Sequence, residues 1–234
     1  MAVDLHNTGL GKLKHALPEK RHNSTMPSRL LPLFPLQVVV FPRTRLPLHI
    51  FEERYKVMVG EAIRQEEEFG IVLAREQGIV SAGCSVAVEK VIERYPDGRM
   101  DILTRGRRRF EIVSLDEELD YLRAGVQYFD DEDQAQPEPE VRKQVLRHFR
   151  LLQKLGSAQG RGELDPADPQ LSFQLAQVLP DLDFLSVLLR QRSEASRLKQ
   201  LSQYLADYIP RQRAIERVQG VAPTNGFGGK RREL

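Results

Sequence analysis

The sequence predicts an α+β protein in which a β-rich barrel with one long helix is followed by a C-terminal α-helical bundle. Three observations carry this. Between Leu30 and Tyr128 the apolar residues come in short β-branched or alternating runs punctuated by proline and glycine. Within that region a single stretch, Phe51 to Ile63, repeats its apolar residues every three or four positions. Beyond the acidic, proline-bearing run Asp130–Glu140 the helical period takes over and stays.

Leu30–Phe41 reads LLPLFPLQVVVF. Pro32, Pro35 and Pro42 exclude a helix and favour extended or edge-strand backbone. The β-branched run Gln37–Phe41 has the composition of a buried strand, and the proline-punctuated first strand is a candidate flank for an open sheet edge. Arg43-Thr44-Arg45 is a polar bend, and Leu46–Ile50 is extended again. A helix follows, with Phe51, Tyr55, Met58, Val59, Ala62 and Ile63 on one face, Glu52 and Glu53 at its dipole-positive start, and Gly70 as its stop. His49 is expected to pack and bond locally, with Glu52 a possible partner.

Phe69–Ala74 and Cys84–Tyr95 read as strands, with Gly78 marking a loop. Pro96-Asp97-Gly98 is a turn, because proline presets φ and glycine accepts a positive one. Met100–Thr104 completes that hairpin, Arg109–Ser114 is a further strand, and Tyr121–Tyr128 is the last. Behind the linker, Val141, Val145, Phe149, Leu152 and Leu155 mark a helix that stops near Gly156, and Ser157–Asp165 reads as a polar loop. Asp168-Pro169 predicts a helix start, Leu182–Leu189 a short helix, and Ser193 the cap of a longer one that Pro210 kinks or ends. The expected divisions are a disordered leader 1–28, a barrel 29–130, an acidic linker 131–140, a bundle 141–218 and a disordered tail 219–234. Met26, directly before the first patterned segment, is an expected alternative start.

Hydrophobic residues make up 41% and charged residues 29%, enough to build a core. The net charge of +2 gives no bulk attraction for nucleic acid. One cysteine, Cys84, excludes an intrachain disulfide and is expected to be a buried strand thiol, in keeping with a cytoplasmic protein. No apolar run reaches the roughly 20 residues of a membrane span.

A phosphate loop needs G-x-x-x-x-G-K-[S/T], and Gly229-Lys230 lacks both its earlier glycine and its following hydroxyl. There is no H-E-x-x-H and no G-x-S-x-G elbow. No catalytic, cofactor or metal site is therefore expected. The densest basic cluster is Arg105-Gly106-Arg107-Arg108-Arg109. It reads as a solvated turn between two strands, or as an anion-reading patch in which Arg105, Arg107 and Arg108 touch phosphate or acidic peptide.

The run from Leu30 to Val59 resembles the N-terminal, substrate-binding domain of the Lon protease family, and in particular bacterial proteins built of that domain alone. Leu31–Pro35, Val38–Pro42 and above all Leu46–Glu52 with Arg54-Tyr55 carry the resemblance. Phe69–Leu73, Gly83-Cys84, Pro96–Arg99 and the Leu103–Phe110 stretch extend it. Arg43-Thr44 stands where the family usually has a glycine after Phe-Pro. The resemblance implies a PUA-like pseudo-barrel with a helical bundle behind it, and a role in recognising unfolded or tagged polypeptides. It implies no ligand residues. The leading expectation is a non-catalytic polypeptide-binding or adaptor module with apolar grooves between barrel and bundle. The alternative is an RNA-binding PUA-like module using Arg105–Arg109.

Overall fold

The computed structural model describes residues 30–133, 135–155 and 164–221. The expected leader, most of the expected tail and most of the loop 157–165 lie outside the described residues. The elements run β1 Leu31–Leu36, β2 Arg45–Ile50, α1 Glu53–Gln65, β3 Phe69–Arg75, β4 Gly78–Arg94, β5 Met100–Asp116 and β6 Arg123–Phe129. Helices α2 Pro139–Lys154, α3 Leu171–Ala176, α4 Leu182–Arg190 and α5 Glu194–Val221 follow. The sheet has the order β2-β5-β4-β3-β1-β6, and a further β5–β6 pairing curls it closed.

The first strand is not Gln37–Phe41 but the proline-bearing stretch before it. β1 pairs with β6 at Leu31 and Pro32 and with β3 from Leu33 to Leu36. Leu33 N–H donates to Leu122 C=O on the β6 side at 2.8 Å. Side alternates along a strand, so the Pro35 nitrogen faces the β6 side, where β6 pairing has ended. The Pro32 nitrogen faces the β3 side before that pairing begins. Each missing N–H thus falls where no partner asks for it. β1 is accordingly an interior strand of the sheet order, paired with β6 at its start and with β3 thereafter, not the edge strand its prolines suggested.

Val38, Val39 and Val40 instead form an irregular connection between two cores. Val40 belongs to the barrel core with Phe34, Met58 and Ile102, whereas Phe41 belongs to the bundle core with Phe149 and Leu198. The β-branched alternation is real, but it alternates between cores rather than between sheet faces. The bend that follows places Arg43 at φ 65, the left-handed region that favours glycine.

β5 is one strand of 17 residues, not two strands and a turn. Its first half pairs with β2 and its second half with β6, while β4 pairs along its other side from Met100 to Glu111. Gly106 sits at the crossover. Its N–H donates to Thr44 C=O, and its C=O accepts from Arg43 N–H. A Cβ there would lie 2.1 Å from the Phe41 carbonyl oxygen.

Helix α1 ends at Gln65, where Glu66 takes a left-handed conformation, so the stop precedes Gly70. Gly70 lies inside β3, where a Cβ would meet Phe110, Leu33 and Leu31 within 3 Å. Phe51 precedes the helix and is 59% exposed, off the apolar face it was expected to join. Asp168 does not cap a helix directly. Helix α3 begins three residues later, and Asp168 accepts the Gln170 N–H. Ser193 does cap α5, accepting the Ser196 N–H at 3.2 Å. That helix continues through Pro210 to Val221. Cys84 is fully buried, and burial pushes its thiol up to about 12.

Candidate functional site

Barrel and bundle meet along two surfaces, one sealed and one open. The sealed surface is a charged seam that no local pattern announced. Arg109 of β5 and Arg197 of α5 are 2% and 0% exposed, and both bind Asp131 from the acidic segment read as a linker. Every nitrogen of Arg197 is committed: Nε to Ser172 Oγ, Nη1 to Asp131 and the Gln191 carbonyl, and Nη2 to Asp131 and Glu194. Arg109 Nη1 donates to the Leu189 and Gln191 carbonyls. Both guanidiniums lie over the Phe173 ring, at 5.3 Å and 4.3 Å, and that ring stacks on Phe41 at 5.1 Å.

Two arginines face two carboxylates, so the buried charge is balanced. Burial raises the Asp131 pKa, but the bonds and charges of Arg197 and Arg109 outweigh it and hold the carboxyl below its usual range. For Glu194 burial wins over the Ser172 and Arg197 contacts and its pKa is raised.

The open surface is a groove of about 820 Å³ between the Val38–Pro47 segment and the bundle. Val38, Val39, Phe149, Val178 and Leu182 give it an apolar lining. Arg43 stands at its rim, bonded to Asp168 at 2.6 Å and Gln170 at 3.2 Å. At the other rim Arg45 and Arg105, register partners across β2 and β5, share the Glu89 carboxylate. Arg45 Nη2 and Arg105 Nη2 reach the same Glu89 oxygen at 2.8 and 2.9 Å. Hydrogen bonds from Arg45 and then Arg105 hold the Glu89 carboxyl down at about 2.

The basic cluster is thus divided rather than assembled. Arg105 faces the groove. Arg108 lies 4.5 Å over the Tyr128 ring and 4.0 Å from Asp130, toward β6. Arg107 is exposed and Arg109 is the buried anchor. The cluster is not a turn, and its arginines do not form one platform.

Sequence comparison fits this architecture. The family model for the ATP-dependent protease La (LON) substrate-binding domain matches residues 30–213. The chain belongs to the Lon substrate-binding domain family. Among curated relatives, Lon protease of Parabacteroides distasonis is 27% identical over 110 residues, 43% of this chain and 13% of that protein. Lon protease of Methylocella silvestris is 27% identical over 192 residues, 69% of this chain and 24% of that protein. The chain thus spans about a quarter or less of the length of these relatives.

Two solved structures share the fold. The Lon N-terminal domain protein from Xanthomonas campestris aligns with TM-score 0.61 at 24% identity, over 74% of this chain and 96% of that one. The N-terminal domain of Mycobacterium avium complex Lon protease aligns with TM-score 0.56 at 16% identity, over 77% and 100%.

The Lon-like signature Leu46–Glu52 falls on β2 and the entry to α1. Its leucines and Ile50 pack into the barrel core, while His49 and Phe51 are exposed and stacked at 6.0 Å. His49 Nδ1 lies 2.6 Å from Asp101 Oδ1, and Glu52 pairs with Arg54 instead. Among the described residues no helix of this Lon-type domain is long and apolar enough to cross a membrane.

Proposed function

We propose that this chain is a non-catalytic polypeptide-recognition module that holds extended or unfolded protein segments in the groove between barrel and bundle. The observation that carries this reading is the groove itself, which is open and sets apolar side chains such as Val38, Val178 and Leu182 among polar ones such as Arg43, Arg105 and Gln177. The Lon family adds to it, because the matched domain is the substrate-binding one.

Strand addition is the weaker mode. β2 is the strand at the sheet end, paired only with β5. Gly106 N–H donates to Thr44 C=O, so even-numbered β2 residues turn toward β5 and Arg45, Pro47 and His49 turn outward. Pro47 therefore interrupts the open side with a missing donor, a device that blunts sheet edges.

Fluorescence anisotropy of a labelled, permanently unfolded polypeptide tests the proposal. Binding that is lost in Val178→Asp, with the circular dichroism spectrum kept, is the expected result. Undiminished binding in that variant, or none in the unaltered chain, overturns it.

A further inference from the structure

The two rims of the groove are charged differently. Arg43 meets Asp168 one to one, with Gln170 beside it. Arg45 and Arg105 have a single carboxylate between them. A guanidinium carries a fork of N–H donors, and Glu89 takes two from Arg45 and one from Arg105. No other side-chain acceptor among the described residues bonds these two groups. Their side chains remain 59% and 34% exposed. Because Arg45 and Arg105 are register partners on paired strands, their guanidiniums emerge side by side where the apolar floor begins.

We propose that the groove selects acidic polypeptide segments: the floor takes apolar side chains, and the Arg45–Arg105 pair takes a neighbouring aspartate or glutamate carboxylate. This rests on the polypeptide-binding reading above and adds the class of segment. The chemistry required is an excess of cationic donors beside an apolar trough, which suits a planar carboxylate on an otherwise hydrophobic chain. Nucleic acid suits it less well. Among the described residues the aromatic rings lining the groove are Phe149 and Phe173, 6% and 1% exposed, and they offer bases no stacking platform.

The test uses the full chain and two fluorescein-labelled peptides of identical apolar sequence, one bearing Asp and the other Asn at a single position. Anisotropy titration is expected to show the Asp peptide binding about tenfold more tightly. The double variant Arg45→Gln/Arg105→Gln is expected to bind both peptides with the affinity of the Asn form. Glu89→Gln, which leaves the pair without its own carboxylate, is expected to widen the preference. Equal affinity for the two peptides in the unaltered chain overturns this inference and leaves the polypeptide reading standing. Binding of neither peptide overturns both. A single-stranded oligoribonucleotide that binds more tightly than the Asp peptide, and depends on the same two arginines, overturns it in favour of nucleic acid.

Discussion

Two arginine pairs in this protein are each bridged by one carboxylate, and β5 contributes a member to both. Arg45–Glu89–Arg105 stands at the groove rim, and Arg109–Asp131–Arg197 lies in the seam between barrel and bundle. The residue types are the same, and four positions separate the two β5 arginines. Solvent makes the difference. In the seam both guanidiniums are buried, so Glu194 supplies a second negative charge and backbone carbonyls take up further N–H groups. At the rim, water does that work and leaves donors available to a ligand. The buried arginines fasten barrel to bundle, and the pair proposed to meet a ligand is the exposed one.

The largest expected effect that would break this contrast is on Arg197. Replacing it by alanine leaves the buried Glu194 and the part-buried Asp131 without their main cation, and should cost about 3–5 kcal/mol in urea unfolding. A loss no larger than that of a surface substitution would place the seam among ordinary ion pairs. Asp131→Asn should cost about 2–3 kcal/mol, as expected for hydrogen bonds to charged groups.

That variant also tests the pH dependence. The folded-state pKa of Asp131 is depressed, so its stabilisation is complete above the ordinary carboxylate range and fades as pH falls through the depressed value. Glu194 acts oppositely: its raised pKa means that its ionised form costs stability as pH climbs through the carboxylate range. Between about pH 5 and about pH 2 the urea midpoint of the unaltered chain should therefore fall further than that of Asp131→Asn. Parallel curves would show that Asp131 does not carry the acid response.

Gly106 separates the two pairs along β5, and a methyl there collides with the Phe41 carbonyl. Gly106→Ala should cost about 1–3 kcal/mol, and in a single transition, because Phe41 ties that point to the bundle core. Two resolved transitions would show barrel and bundle to be less coupled than the seam implies. The smallest stability effect is expected from Arg105→Gln, which should leave the unfolding midpoint unchanged while lowering affinity for the acidic peptide.

Much of this architecture was legible in the sequence. The amphipathic spacing of α1, the Pro96–Gly98 turn, the buried Cys84 and the Ser193 cap all follow from local chemistry, and all are present. The misreadings have a common origin in distant partners. Val38–Val40 has the composition of a strand but bridges two cores. Arg105–Arg109 has the composition of a solvated turn, yet β2, β4 and β6 keep it extended. Asp131 sits in an acidic run that reads as a linker, and its partners Arg109 and Arg197, 22 and 66 residues away, draw it into the seam. The groove was expected between barrel and bundle, but nothing local could show that Arg105 would meet Arg45 there while Arg109 turned into the seam.

The placement of Phe41 bears on how the chain is made. A ribosome delivers the barrel segment first, and the bundle segments that cover Phe41 and Arg109 come last. Until α5 has emerged, the nascent barrel displays an incompletely covered aromatic ring and an Arg109–Asp131 pair that lacks Arg197, the kind of transient surface that invites misassembly. Synthesis of this domain thus leaves a vulnerable interval that closes only when Arg197 reaches Asp131 and Phe173 covers Phe41.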